Sequence, residues 1–310
     1  METTVTAVGA RTAAELRAAR LATLPLVDMN PPEGFFRGAI HDWADIWVHR
    51  ELLGQLMSRE IKTRYKGSML GMLWSFIKPL VMLLVYYVAV GQFLGAAKGI
   101  PGFGLYIFSG LSVWVLFSEI VQVSSMSILA NAAIIKKIHL PREVFPLASL
   151  GPAVMNFTIQ ISLALVVGVF TGSITGRSLV VHLPLSVLVA LVWAVALGLI
   201  VAAANVYFRD VGYLVEVGLM LGFWSLPVVY SWTMVSGKIG TVLQEIYLSN
   251  PITMAVMGIQ KAIWGGNTTA SYFPSHLGPR MLVALLVGLV ALFCAQRVFS
   301  RLQADFAQEV

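Results

Sequence analysis

Residues 182–204 read HLPLSVLVALVWAVALGLIVAAA, a stretch that contains no Asp, Glu, Lys or Arg. About 20 apolar residues in a helix are enough to cross the hydrocarbon core of a bilayer. The whole chain has the same character, because 58% of its 310 residues are hydrophobic and only 12% are charged. An ordinary soluble protein carries about 25% charged residues. The sequence therefore predicts an all-α integral membrane protein.

Six stretches of the chain have the length and hydropathy of a membrane span. The predicted spans are Leu70–Phe93, Leu105–Ile128, Val144–Phe170, His182–Ala204, Tyr213–Val235 and Met281–Val298. The second span is unusually rich in serine and also contains Glu119 and Gln122. Polar side chains inside a membrane usually face other helices or water, so we expect this span to lie inside the bundle.

Lys and Arg residues are distributed unevenly between the two sides of these spans. If the N-terminus is cytosolic, the cytosolic segments hold fifteen of them and the opposite side holds five, with Lys78 inside a span. Cytosolic loops of membrane proteins carry an excess of these residues. We therefore expect both termini in the cytosol, and we attribute the net charge of +6 to this bias rather than to nucleic-acid binding.

The segments outside the spans divide the chain further. Residues 1–41 are rich in Ala and Arg and end near an Asn-Pro-Pro sequence, which predicts a mobile cytosolic arm. Residues 42–67 form an amphipathic unit, residues 68–300 the six-span domain, and residues 301–310 a cytosolic tail.

The amphipathic unit, residues 42–67, is predicted to be one helix before the first span. Its apolar residues form one stripe at 100° per residue. The stripe consists of Trp43, Ile46, Trp47, Leu53, Met57, Ile61 and Tyr65. Two interpretations remain open: an interfacial helix at the inner headgroups, and a solvated helix that packs on the protein's own core.

The outer segment between the last two spans, residues 236–279, contains a short apolar run after Ser249-Asn250-Pro251. Asn at the N-cap and Pro in the first turn are typical of a helix start. Because the run is too short to cross a bilayer, it predicts a re-entrant or surface-lying helical hairpin.

The chain lacks the residues that an energy source or a catalytic centre requires. It has no G-x-x-x-x-G-K-[ST] phosphate-binding loop, its one cysteine is Cys294, and its histidines lack metal-ligand spacing. Glu119 and Glu216 are the two carboxylates within the predicted spans. An ion-gradient-driven carrier usually needs an ionisable cluster at the midplane, and a membrane-embedded glycosyltransferase needs catalytic carboxylates or histidines. We therefore expect no metal or cofactor on this chain and an external supply of energy.

The cytosolic connection between spans two and three, about residues 131–142, combines isoleucines with basic residues in one short helix. Such a helix can fit an apolar groove of a partner and pass a rigid-body movement to both flanking spans. Its docking residues are predicted to be Ile134, Ile135, Lys136, Lys137, Ile138, His139, Arg142 and Glu143. The alternative is that the basic residues only keep this connection on the cytosolic side of the membrane, and that the isoleucines have no docking role.

Five stretches, in order along the chain, resemble the membrane subunits of ABC-2 type polysaccharide exporters, the group of the O-antigen permease Wzm and the teichoic acid permease TarG. The stretches are REIKTRYK (59–66) leading into LGMLWSFIKPL (70–80), IIKKIHLPRE (134–143), ANVYFRDV (204–211), LPVVY (226–230) and LSNPIT (248–253). The resemblance as a whole spans residues 50–300, which is nearly everything except the N-terminal arm.

The resemblance implies a homodimer that works with two copies of a separate Wzt-like ATPase subunit, which binds ATP and Mg²⁺. It also implies that residues 131–142 are the coupling helix and residues 42–67 the gate helix. The cargo would be a polysaccharide on a polyprenyl phosphate or pyrophosphate lipid, of O-antigen, teichoic acid or galactan type. The composition, rich in Ala, Val, Gly and Arg, indicates a GC-rich bacterium and hence the actinobacterial galactan branch. An ABC-2 exporter of drugs or lipids is the nearest alternative.

By the same analogy, a conduit for sugars would form mainly from spans one and five. Its candidate lining residues are Trp74, Phe76, Tyr86, Tyr87, Phe223, Trp224 and Tyr230. The apolar faces of sugars stack on aromatic rings. Aromatic residues are, however, also typical of bilayer interfaces and of lipid-facing helix surfaces.

A cluster of cations in the amphipathic unit is predicted to meet the phosphate of the cargo at the inner leaflet. Its members are Arg59, Lys62, Arg64 and Lys66. Arg binds phosphate bidentately, so Arg59 is the preferred candidate. The alternative is attraction to anionic headgroups. Within the second span, Glu119 either pairs with a cation, lines water in the conduit or is a structural carboxyl.

Overall fold

The computed structural model describes residues 35–136, 140–268, 272–303 and 306, and every regular element in these ranges is helical. The predicted arm, residues 1–41, lies outside the described residues up to position 34, and the tail is described only at 301–303 and 306. The helices are α1 Phe35–Val48, α2 Arg50–Tyr65, α3 Trp74–Tyr86, α4 Phe103–Ala130, α5 Ala132–Ile135, α6 Val144–Ala148, α7 Leu150–Phe170, α8 Gly176–Tyr207, α9 Val211–Ser225, α10 Trp232–Ser236, α11 Thr241–Ser249, α12 Pro251–Ile263 and α13 Leu277–Leu302. Helix α3 continues as a π-helix over Tyr87–Phe93.

Among the described residues, five helical segments are long and apolar enough to cross a membrane. They are Gly71–Phe93, Phe103–Ala130, Val144–Phe170, Gly176–Tyr207 and Leu277–Leu302, and Val211–Ser225 is a shorter apolar helix. The all-α membrane fold predicted from the sequence is confirmed.

Helix α4 is the central helix of the bundle and packs against α7, α8, α9 and α12. Its serines are satisfied largely within the helix; for example, the Ser112 hydroxyl donates to the Phe108 carbonyl at 2.6 Å. Such local hydrogen bonds let a polar sequence remain helical in an apolar environment. The expectation that the second span lies inside the bundle agrees with this position.

The fifth predicted span, Tyr213–Val235, is wrong as a continuous helix. Helix α9 ends at Ser225, and residues 226–231 run in irregular conformation before α10. The residue before a proline is disfavoured in the α region, and Leu226, before Pro227, is extended with φ −102° and ψ 151°. The freed carbonyl of Pro227 accepts hydrogen bonds from Tyr106 Oη and Gln260 Nε2, both at 2.8 Å.

The amphipathic unit predicted as one helix over residues 42–67 is two helices, and the first begins already at Phe35. The interruption between the two helices lies at His49, whose Nδ1 is 2.8 Å from the Asp45 carbonyl and 3.3 Å from its carboxylate. The imidazole thus shares the carbonyl that the backbone N–H of His49 also uses. Of the predicted stripe, Ile46 is buried while Trp47 is 71% exposed, so the stripe does not face one environment.

Helix α2 lies against α6 and α7. Leu56 is buried there in a cluster with Phe145 and Phe299. A Cβ atom on Gly151 would come within 2.7 Å of the Met57 Cβ, so this glycine permits the close approach of α2 to α7.

The outer segment, residues 236–279, contains α11 and α12. Asn250 caps α12, because its Oδ1 accepts the N–H of Ile252 at 3.0 Å, and Pro251 is the first residue of the helix. Nearly all of α12 is buried against α4, α8 and α13. It is therefore part of the core and does not lie on the surface.

The inner turn between α8 and α9 is fixed by Asn205, which is fully buried. Its Nδ2 donates to the Ser125 carbonyl of α4 at 2.8 Å, and its Oδ1 accepts the N–H of Gly212 at 3.0 Å. One amide thus sets the position of α9 relative to α4.

Candidate functional site

Two adjacent cavities open along the side of α4 that faces α3. The first, the α2 cavity, has a volume of about 670 Å³ and lies between α2, α3, α4 and α7. It is lined by Arg64, Tyr65, Ser68, Trp74, Ser75, Lys78, Pro79, Met82, Val115, Glu119, Asn156 and Gln160. The second, the α9 cavity, has a volume of about 460 Å³ and lies between α3, α4 and α9. It is lined by Tyr86, Trp114, Val115, Ser118, Glu119, Gln122, Glu216, Leu219, Met220, Phe223 and Trp224.

The two cavities share Val115 and Glu119, and we call them together the groove. Its floor is the polar side of α4, where Ser118, Glu119 and Gln122 follow one another at helical spacing. One wall is α3, much of which is exposed, including Trp74 at 40%. The groove therefore places a few polar side chains of α4 within a lining that is largely apolar and aromatic.

Four of the predicted conduit residues line the groove: Trp74 in the α2 cavity, and Tyr86, Phe223 and Trp224 in the α9 cavity. The ring of Phe223 lies 5.4 Å from that of Tyr86 and 5.4 Å from that of Trp224, measured between centroids. The contact with Tyr86 joins α9 to α3, whereas the contact with Trp224 lies within α9.

The other three predicted conduit residues do not line these cavities. Phe76 and Tyr87 are each 40% exposed on α3 and its π-helical extension, and Tyr87 lies beside Phe103 with centroids 6.4 Å apart. Tyr230 lies in the irregular segment after α9, where its hydroxyl donates to the Trp224 carbonyl at 3.2 Å.

An ion pair between Arg64 and Glu119 joins α2 to the middle of α4. The Glu119 side chain is 13% exposed and that of Arg64 33%. Asn156 of α7 donates from Nδ2 to both carboxylate oxygens of Glu119, at 3.2 and 3.1 Å. The pairing with a cation, one of the roles considered for Glu119, is the arrangement that the structure has.

Tyr65 extends this network. Its hydroxyl donates to Asn156 Oδ1 at 3.2 Å and is hydrogen-bonded to Ser75 of α3. We call Arg64, Tyr65, Ser75, Glu119 and Asn156 the Arg64 cluster. It connects four helices at the boundary between the two cavities.

The remaining cations predicted for phosphate binding do not share this position. Arg59 donates to Asn131 Oδ1 at 2.7 Å and is paired with Glu60 at 3.1 Å, beside a separate cavity of about 320 Å³. Lys62 and Lys66 are exposed, and neither lines the groove. The structure therefore brings Arg64, rather than Arg59, to the groove, and adds Lys78 of α3.

Comparison with known proteins places this architecture in a family. The family model for the ABC-2 type transporter matches residues 51–264, more than half of the chain. The chain belongs to the ABC-2 type transporter family. It is therefore the membrane permease subunit of an ABC transporter, and an ATPase partner is implied by this membership.

Individual relatives cover nearly the full length of this ABC-2 permease. It is 29% identical over 266 residues to the O-antigen export system permease protein RfbA of Myxococcus xanthus, covering 86% of this chain and 98% of the relative. It is 26% identical over 258 residues to a protein of the same name from Klebsiella pneumoniae, covering 83% and 94%. It is 25% identical over 251 residues to the capsule polysaccharide export inner-membrane protein CtrC of Neisseria meningitidis serogroup B, covering 80% and 92%.

The predicted coupling residues of the permease follow the C-terminal end of α4. One helical turn, α5, is described, with Ile134 partly exposed, Ile135 buried and Lys136 exposed. Lys137, Ile138 and His139 lie outside the described residues.

Two further members of that set face the protein interior. Glu143 is 2% exposed and accepts a hydrogen bond from Gln303 Nε2 at 3.1 Å. The guanidinium of Arg142 lies 5.8 Å from the ring centroid of Phe306. Glu143 therefore fixes the loop against α13 instead of presenting its carboxylate to a partner.

The groove residues that sequence reasoning missed include Lys78, Trp114, Asn156 and Gln160. Lys78 carried a signal, because a charged residue in a span usually has a functional environment. Asn156 and Gln160 are spaced by one helical turn on α7, which also marks a polar face of a span. Trp114 lies 6.1 Å from Phe223 between ring centroids, and nothing in its local sequence separates it from a lipid-facing aromatic residue.

The groove offers aromatic rings, hydroxyls, amides and carboxylates, with two cations at one end. Among the described residues no group of three or more His, Cys, Asp or Glu could hold a metal ion. The arrangement can bind neutral polyhydroxy chains weakly and an anion at the Arg64 end.

Proposed function

We propose that this permease exports a polysaccharide linked to a polyprenyl phosphate or pyrophosphate lipid, from the cytosolic to the outer side of the inner or plasma membrane. The observation that carries the proposal is the groove, in which aromatic and polar side chains lie along α3, α4 and α9 with cations at one end. The relatives, which are O-antigen and capsule polysaccharide export proteins, support the same class of cargo.

The lining of the α9 cavity fits carbohydrate chemistry. The apolar C–H faces of sugars pack on rings such as those of Tyr86, Trp114 and Trp224, while Ser118 and Gln122 can hydrogen-bond to hydroxyls. Both kinds of contact are individually weak, and weak contacts let a long chain move without stalling. Glu216, which is exposed in this cavity, adds an acceptor for hydroxyl groups.

The cationic end of the groove fits the phosphate of such a lipid. Arg64 and Lys78 line the α2 cavity from two different helices. Arg can hold a phosphate through two parallel hydrogen bonds, and Lys contributes a compact charge. Lys62 and Lys66 are exposed and lie two residues before and after Arg64 in the sequence. They would attract anionic headgroups, at about 1 kcal/mol per cation.

The proposed assembly is a homodimer with two copies of a Wzt-like ATPase subunit that bind ATP and Mg²⁺, and with both termini in the cytosol. In this assembly the α4–α7 connection, including Ile134 and Lys136, contacts the ATPase. Their position at the inner end of the central helix supports this role, since movement there acts directly on α4, the floor of the groove. Within the cargo class, lipid-linked cell-wall galactan is our specific candidate, on the basis of the chain's composition.

The test is depletion of the permease followed by analysis of lipid-linked glycan on each side of the membrane. Accumulation on the cytosolic side is expected, and the sugar composition of the accumulated glycan decides whether it is galactan. No accumulation after depletion would contradict polysaccharide export and favour the drug or lipid exporters of the same family.

A matched pair of variants tests the groove itself. Tyr86→Leu with Trp224→Leu removes two rings from the α9 cavity, while Phe76→Leu with Tyr87→Leu removes two exposed rings outside the cavities. If each lost contact weakens transition-state binding by about 0.5–1.5 kcal/mol, export slows by roughly fivefold or more in the first variant. Equal export rates of the two variants, at equal protein levels, would show that the aromatic lining has no role in transport.

A further inference from the structure

Glu119 occupies a dividing position in the groove, because it lines both cavities. Its carboxylate is nearly buried, at 13% exposure, and is paired with Arg64, which reaches it from α2 outside the spans. Material that passes from the α2 cavity to the α9 cavity along α4 has to pass this ion pair.

The same ion pair also holds α2 in place. Through Tyr65 and Asn156, the Arg64 cluster connects α2 to α7, and through Ser75 it connects α2 to the first turn of α3. The other polar tie of α2 to the bundle that we find among the described residues is that of Arg59 with Asn131. Loss of the Arg64–Glu119 contact would therefore leave the C-terminal end of α2 tied by the neutral hydrogen bonds of Tyr65 alone, and so loosen it where it leads into the first span.

An anion that enters the α2 cavity competes directly for Arg64. A phosphate group presents more acceptor oxygens than the carboxylate and can bind the guanidinium bidentately. Lys78 lines the same cavity and supplies a second cation, so the site would compensate the charge of the incoming phosphate after Glu119 is released. Glu119 keeps two hydrogen bonds from Asn156 and so remains partly satisfied when Arg64 leaves.

We infer that the Arg64–Glu119 pair is a latch that the anionic headgroup of the cargo opens. In the closed state Arg64 binds Glu119, separates the two cavities and keeps α2 docked. The headgroup phosphate takes Glu119's place on Arg64, which opens the boundary at Glu119 and releases α2 at the start of the first span. This inference rests on the proposed function for the identity of the anion, but not for the existence of the latch.

The experiment uses the complex of this permease with its ATPase subunit in nanodiscs and measures ATP hydrolysis without and with lipid-linked glycan. Glu119→Gln keeps the size of the side chain and one acceptor oxygen for Asn156, and it removes the charge that holds Arg64. Basal hydrolysis should rise by about fivefold or more, the lower end of coupling between linked sites, and the added glycan should stimulate it little further.

Two further variants separate a latch from a general loss of stability. The exchange Arg64→Glu with Glu119→Arg restores the attraction and should return basal hydrolysis toward the wild-type rate. Glu245→Gln breaks an ion pair with Arg280 at the other end of the molecule and should leave basal hydrolysis unchanged. Thermal unfolding of each complex confirms that the variants are folded.

The outcomes distinguish the latch from the proposed cargo. If glycan stimulates the wild type but Glu119→Gln hydrolyses ATP at the wild-type basal rate, the latch is wrong and the cargo stands. If Glu119→Gln raises the basal rate but glycan never stimulates the wild type, the latch stands and the polysaccharide cargo is wrong. A raised rate that the charge exchange fails to lower would also overturn the latch.

Discussion

At the scale of single residues, Gly151 decides how closely α2 approaches the bundle. A Cβ at this position would lie 2.7 Å from the Met57 Cβ and 3.2 Å from its Cα, and the backbone atom cannot turn away. Gly151→Ala gains about 1 kcal/mol of helix propensity but must displace α2, and overpacking of this kind costs about 1–3 kcal/mol. We expect faster hydrogen exchange in residues 50–65, measured by mass spectrometry.

The matched control is Gly54→Ala on α2 itself. No atom lies within 4 Å of the Cβ that this change adds, and the position is exposed. The variant should therefore keep or slightly raise the protection of α2, by up to about 1 kcal/mol. Equal behaviour of the two variants would show that the Met57 contact does not control docking.

At the scale of elements, the break after α9 is held open by side chains of other helices. Tyr106 is buried, and its hydroxyl donates to the carbonyls of Pro227 and Tyr230 at 2.8 and 2.7 Å. Tyr106→Phe leaves the Tyr230 carbonyl without this donor, and an unsatisfied buried acceptor costs about 1–3 kcal/mol. We expect a lower thermal unfolding temperature and faster exchange in residues 226–231.

Tyr272→Phe serves as the comparison for this prediction. The Tyr272 hydroxyl also donates to a carbonyl, that of Gly99 at 3.0 Å, but at an exposed position where water can replace it. Its loss should change the unfolding temperature less. A Tyr106→Phe variant as stable as Tyr272→Phe would mean that the break does not depend on this donor.

A second contact between elements joins α11 to α13 at the outer end. The two terminal guanidinium nitrogens of Arg280 each donate to the Glu245 carboxylate at 2.8 Å. This hydrogen bonding holds the pKa of Glu245 below its ordinary value. A carboxyl group whose pKa is lowered in the folded protein stabilises the fold at every pH above its ordinary pKa. That stabilisation is lost as the pH falls through the lowered pKa. The α11–α13 contact should therefore persist at neutral pH and loosen below about pH 4.

A spin label at Thr241→Cys measures this loosening, in a background where the exposed Cys294 is replaced by Ser. The label should become more mobile as the pH falls through this range. With Glu245→Gln added, the label should be mobile at every pH. Mobility that depends on pH in the same way in both proteins would assign the effect to another group.

At the scale of the whole molecule, the prediction of cytosolic termini sets which end of the groove meets the cargo first. Ala133 at the α5 end and Lys238 near α11 are both exposed at opposite ends of the bundle. In the Cys294→Ser background, an impermeant maleimide should label Lys238→Cys in intact cells and Ala133→Cys only after permeabilisation. The reverse labelling pattern would show that the predicted orientation is wrong and that the α4–α7 connection lies on the side of the membrane away from any cytosolic ATPase.

The sequence by itself determined the class of fold and the start of several elements. Charge-free runs such as residues 182–204 cannot be accommodated in a soluble core, and Asn250-Pro251 marks the beginning of α12 through local geometry alone. Pro227 likewise carried the information that the fifth span is interrupted, although its hydropathy predicted a continuous helix. These are local properties, so one sequence is enough to read them.

The tertiary structure alone decided which side chains meet. Tyr86 lines the groove and its neighbour Tyr87 does not, and Arg64 pairs with Glu119, which lies 55 positions further along the chain. Membrane helices are apolar both toward lipid and toward each other, so hydrophobic periodicity cannot show which face packs inward. The same physics hid the burial of α12: its apolar surface suits lipid and protein equally, and only the packing of α4, α8 and α13 around it settled the matter.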